Sequence, residues 1–225
     1  MENYPRNVYM SPRNAVSRFQ QLLLKHGADA VERSGAFKIE KELLIAGIML
    51  CGLQSTNKFP YYLRPGEDIF PDVDVRAITW GEDDDHFEEI DIQVTEFESH
   101  GQSLIQVIEA KIRHQAQEEA ENRHLIVNVR ENPGLQFSTV EIAREIKGLN
   151  PTFKSIWVII DDADEQWLYH AVGVWPIRSG QVAMLNFNLE DVIAAGTPPD
   201  YIKIRRGARN ENLSDIYDGF ELPLP

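Results

Sequence analysis

The sequence predicts an α/β protein built in three layers, and three observations carry the prediction. Two segments with helical apolar spacing come first, a run of alternating apolar segments follows them, and a helix with further strands completes the chain. The 225 residues, 43% hydrophobic and 26% charged, are enough to bury a sizeable core and have the balance of a globular protein.

Taken in order, "PRNAVSRFQQLLLKHGA" places Val16, Phe19, Leu22 and Leu23 on one side of a helix, with Gly27 as its stop. "AFKIEKELLIAGIMLCGL" is a second helix, on which Phe37, Leu43, Leu44 and Gly47 recur at helical spacing and Glu40 shares their face. "NKFPYYLRPGEDIFP" reads as a Pro-rich connector, and "DVDVRAITW" as a strand. "EIDIQVTEF" and "SLIQVIEAKI" are expected as two strands of a hairpin, joined through "ESHGQ". "HQAQEEAENR" is expected as a short polar helix and "HLIVNVR" as a strand. In "STVEIAREIKGLN", Ser138 and Glu141 form a capping-box pattern at the start of a helix. "KSIWVIID", "WLYHAVGVWP" and "VAMLNF" are strands, "LEDVIAAG" is a short helix, and Pro198–Pro199 introduce a C-terminal segment.

The single cysteine, Cys51, excludes an internal disulfide and fits a reducing compartment; among Met49, Leu50 and Leu53 it reads as core packing. The first residues carry no apolar leader core, and no run approaches the ~20 apolar residues that span a bilayer. A soluble, cytoplasmic protein without a membrane partner is expected.

The net charge of −14 argues against a high-affinity, non-specific binder of nucleic acid. It is compatible with a metal-dependent enzyme acting on nucleic acid, whose acidic site requires cations. "GEDDDHFEEIDIQVTEFE" alone holds nine acids and no lysine or arginine. The opposite pole is "YIKIRRGARN", where Lys203, Arg205, Arg206 and Arg209 either touch phosphates or end a strand in solvent.

The expected hairpin has a geometric consequence. Side chains two apart on a strand point the same way, so Glu109 and Lys111 would share a face. With the turn centred on His100, Asp91 would stand opposite Glu109, their Cβ atoms about 5 Å apart. Two carboxylates that close need a proton or a cation between them, and hard oxygen ligands suit Mg²⁺ or Mn²⁺. A lysine beside them could orient or deprotonate water, which makes the trio suitable for metal-assisted phosphodiester hydrolysis.

In these letters, "EID", a turn and "VIEAK", the sequence resembles the PD-(D/E)xK, or restriction-endonuclease-like, nuclease superfamily over roughly residues 36–162. The resemblance implies a core of helix, three-stranded meander, helix and strand, here with extra C-terminal strands. It gives metal binding to Asp91 and Glu109 and water activation to Lys111. It also implies a supporting glutamate on the first helix, for which Glu40 is the first choice and Glu42 the alternative. "PD" occurs literally at Pro71–Asp72, so Asp72 and Asp74 compete with Asp91 for the aspartate role.

The expected organisation is an N-terminal helical segment over 1–35, a nuclease-like α/β core over 36–197 and a C-terminal extension over 198–225. The expected activity is Mg²⁺- or Mn²⁺-dependent hydrolysis of nucleic acid, DNA first, and cutting both strands of a duplex would suit a homodimer. The alternative is a non-catalytic interaction module on the same fold, its acidic surface serving a basic protein. The six histidines show no metal-ligand spacing, and neither GxxxxGK[ST] nor GxGxxG occurs.

Overall fold

The computed structural model describes residues 8–57, 59–66, 73–80, 87–98, 101–114, 123–129, 138–149, 151–162, 165, 167–175, 181–195 and 201–203. Among them are nine strands and six α-helices, an α/β protein with mixed strand pairing. The chain divides into two compact units, one of residues 1–90 with 192–225 and one of residues 91–191.

In the first unit, β1 (Val8–Met10) leads into α1 (Pro12–His26). The Ser11 hydroxyl caps this helix by accepting from the Asn14 N–H, Pro12 stands at its first position, and Gly27 stops it at φ 84°. A short α2 (Ala28–Arg33) and a 3-10 turn precede α3 (Lys38–Asn57), which is buried along most of its middle, Cys51 included. Next come β2 (Tyr61–Pro65) and β3 (Val75–Trp80), and far along the chain β9 (Tyr201–Lys203). The strand order is β3-β2-β1-β9, antiparallel throughout. The expected connector around Tyr61 is therefore a strand, and all five of its residues are buried. Its two tyrosines and leucine outweigh the flanking prolines, which sit at strand ends where no ladder donor is required.

β4 (Phe87–Phe97) passes from the first unit into the second at Ile90–Asp91. The second unit continues with α4 (Leu104–His114), β5 (Arg123–Val129), α5 (Thr139–Gly148), β6 (Ser155–Asp161), β7 (Leu168–Trp175) and β8 (Gln181–Asn188). The chain then enters α6 (Leu189–Ala195). β4, β5 and β6 are parallel, whereas β7 and β8 return antiparallel. Leu104 and Ile108 of α4 and Ile142 and Ile146 of α5 pack with Leu125, Val127, Ile156 and Val158, so both helices cover one face of these strands.

The segment expected as the second hairpin strand is instead the helix α4. Ser103 and Gln106 cap it reciprocally: Gln106 N–H donates to Ser103 Oγ at 3.2 Å, and Ser103 N–H to Gln106 Oε1 at 2.7 Å. The run "LIQVI" satisfies both a two-residue and a helical period, so the cap and the topology decide. A parallel β4–β5 pair cannot be joined by a hairpin and needs a crossover segment. The expected polar helix after His114 lies, from Gln115 to Asn122, outside the described residues. From α3 onward the elements run helix, three strands, helix, strand, with β4 as the third strand. No helix among the described residues is long and apolar enough to cross a membrane.

Candidate functional site

The pairing expected between Asp91 and Glu109 does not form, because Glu109 is on a helix and the strand partner of Asp91 is Arg123. On α4, Glu109 and Lys111 are separated by about 200° of rotation rather than sharing a face. Glu109 is half-exposed and pairs with Arg113 one turn on, at 2.6 Å. Lys111 follows Leu104 by seven positions and Ile108 by three, which places it on the stripe that packs against the strands.

Asp91 and Gln93 stand opposite Arg123 and Leu125, and Leu125 belongs to the cluster beneath α4. Alternation therefore puts Asp91 and Gln93 on the face that α4 covers. Asp91 and Lys111 thus border the same layer, although not through the hairpin that suggested them. Glu109 stands outside that grouping.

A second arrangement occurs in the first unit, among residues held only as alternatives on sequence grounds. Glu42 lies in the opening turns of α3, with Lys38 one turn before it and their charged atoms 3.2 Å apart. Its carboxyl also hydrogen-bonds the side chain of Asp74, at the entry to β3. Burial, then the negative charge of Asp74, push the Glu42 carboxyl up to about 7, with Lys38 opposing them. Lys38 is held above the usual lysine range chiefly by the charge of Glu42. Near neutral pH the Glu42 carboxyl therefore partly retains its proton.

Asp74 is fixed by the backbone around it. Gly66 N–H donates to the Asp74 carbonyl at 2.8 Å, and a Cβ on Gly66 would fall 1.7 Å from the Val73 carbonyl oxygen. Only glycine allows β2 and the residues leading into β3 to approach this closely.

The remaining sequence candidates are dispersed. Glu40 is half-buried in the first turn of α3, where the helix dipole favours a carboxylate. Lys203 is on β9 with its backbone opposite Val8, while Arg205, Arg206 and Arg209 lie outside the described residues, as do Asp72 and His100. Among the described residues, no three His, Cys, Asp or Glu side chains form a metal-binding group. On sequence grounds Glu42 is the alternative to Glu40 on the first helix, and Asp74 a competitor of Asp91 beside the literal Pro71–Asp72.

The chain matches no protein-family model and no curated protein sequence.

Proposed function

We propose that this protein hydrolyses nucleic-acid phosphodiesters, DNA first, with a divalent cation held by Glu42 and Asp74. The observation that carries the reading is the hydrogen-bonded pair of carboxyls itself, with Glu42 retaining its proton toward neutral pH. Such a pair exchanges its proton for a cation with little rearrangement, and two carboxylate ligands with waters and phosphate oxygens are what Mg²⁺ or Mn²⁺ accepts. The reaction class comes from the sequence resemblance, whose expected third strand is here the helix α4.

The cation would polarise the phosphate and lower the pKa of a bound water. Lys38, beside Glu42, offsets negative charge at the pair and holds the Glu42 carboxylate in place. The resemblance also gives roles to Asp91 and Lys111, but both lie in the second unit and neither is assigned to the Glu42–Asp74 pair. Glu109 is left out of the reading, because its carboxylate is engaged by Arg113 on the outer side of α4.

The test is calorimetric titration of Mn²⁺ at pH 8 into the wild type, Glu42→Gln and Asp74→Asn, with and without a DNA oligonucleotide. It is followed by a cleavage assay on the same proteins. Saturable binding lost in both carboxylate variants, with metal-dependent cleavage lost in both, supports the reading. No binding to wild type in either condition, or cleavage that survives Asp74→Asn, defeats it.

The interaction-module reading has one observation in its favour, the net charge of −14. It predicts salt-sensitive binding of a basic protein, indifferent to metal and to Lys111→Ala.

A further inference from the structure

Among the described residues, β8 ends the strand order of the second unit, paired along its whole length to β7 on one side. Natural edge strands are protected by charge, proline, bulges or shortness. β8 has none of the first two and is not short: its eight residues, "QVAMLNFN", include no charged residue and no proline. Four large apolar side chains are exposed among the described residues, and Val182 and Met184 of this strand are two of them. A third, Val140 on α5, adjoins the same place, since the neighbouring Thr139 hydroxyl contacts Met184 Sδ at 3.8 Å.

Charge identifies the occupant. A molecule with 36 acidic and 22 basic residues repels its own copies wherever their charged surfaces meet, and attracts basic partners to its acidic ones. β8 reverses both preferences, because its outward groups are amides and apolar side chains. It offers nothing to a cationic partner, and it lets a second copy approach without opposing like charges.

The strand is also compatible with two-fold self-pairing. About a dyad at Met184, antiparallel pairing sets Met184 against its own copy and Val182 against Asn186, and it keeps the two exposed apolar side chains on one face. We propose that this chain forms a homodimer by antiparallel β8–β8 pairing, continuing the five strands of the second unit into those of a second copy. The proposal is independent of the cleavage reading.

The test combines mass and cross-linking. Light scattering and sedimentation at high micromolar concentration should give wild type twice the 25.7 kDa chain mass. The double variant Val182→Lys/Met184→Lys, shown by circular dichroism to be folded, should give a twofold lower mass. Opposed residues in such a ladder have Cα atoms about 4.5–5.5 Å apart, within disulfide range, so Met184→Cys should oxidise to a covalent dimer. Wild type, whose sole thiol at Cys51 is buried, should not. A wild-type mass of one chain, a dimer that survives both lysines, or a Met184→Cys protein that stays uncross-linked overturns the proposal. The first of these would leave the edge to another part of the chain or to a different partner.

Discussion

Glu42 stands between Lys38, 3.2 Å away on the preceding turn of α3, and Asp74, to which its carboxyl is hydrogen-bonded. The contact with the lysine favours the ionised form, yet burial and the second carboxylate prevail and raise Glu42 to about 7. The folded state therefore holds a proton that the unfolded chain releases near 4.5. Below that value the group is protonated in both states. Between 4.5 and about 7 only the folded state keeps the proton, so this contribution to stability is lost as pH rises through the window. Urea midpoints measured across it should fall in wild type and level off in Glu42→Gln. Millimolar Mn²⁺ should restore wild-type stability at pH 8, where a bound cation replaces the proton.

His170 titrates in the same sense through different contacts. Its ring nitrogens lie 2.7 Å from Asn186 Oδ1 and 2.9 Å from Asp162 Oδ2, so only the doubly protonated ring can donate to both. The hydrogen bond to Asn186, then that to Asp162, raise its pKa above 6.5, with Glu165 adding a weaker attraction. The stabilisation is complete below 6.5 and disappears as pH rises through the higher folded value. An NMR titration should place the His170 midpoint above 6.5, and Asp162→Asn should bring it down.

Gly66→Ala tests the seat of Asp74. A methyl group there would meet the Val73 carbonyl oxygen at 1.7 Å, so the backbone between β2 and β3 has to move. The expected cost is about 1–3 kcal/mol in denaturant unfolding. Where the protein still folds, the Glu42 midpoint should drop towards 4.5 as Asp74 separates from it. A midpoint left unchanged would show that the close approach at Gly66 does not position Asp74.

Three substitutions on α4 separate a helix from the strand that its letters also allow. Ile108 is fully buried, and Ile108→Ala should cost about 2–5 kcal/mol. Ser103→Ala removes the cap and should cost about 1 kcal/mol. Glu109→Gln removes only an exposed pair with Arg113 and should stay within about 0.5 kcal/mol. Equal losses at Ile108 and Glu109 would contradict the helix.

Gly173 lies directly across the ladder from Trp157, and a Cβ there would come within 2.5–2.6 Å of the indole ring. Gly173→Ala should therefore destabilise by about 1–3 kcal/mol. The paired change with Trp157→Leu, which clears the ring, should lose less than the sum of the two single variants.

The sequence by itself determined the elements with a single reading. α1, α3 and α5 carry their caps or their apolar spacing in the letters, as Ser138 does by accepting from the Glu141 N–H. β6 and β7 are apolar runs rich in β-branched and aromatic residues, which favours strand over helix. The lone cysteine was correctly expected in the core, where burial raises its thiol to about 12.

Tertiary structure decided whatever the letters left with two readings. "LIQVI" fits two periods, and the parallel placement of β5 beside β4 resolves it into a crossover helix. That single change turns Glu109 away from Lys111 and sets Arg123 beside Asp91 in the ladder. Glu42 and Asp74 are thirty-two positions apart in the chain, and no local period connects them. Their meeting depends on the packing of α3 against the strands and on the close backbone approach at Gly66. Spacing fixes which side chains share an element, whereas the partner of a charged group from another element is set by the packing that brings the two elements together.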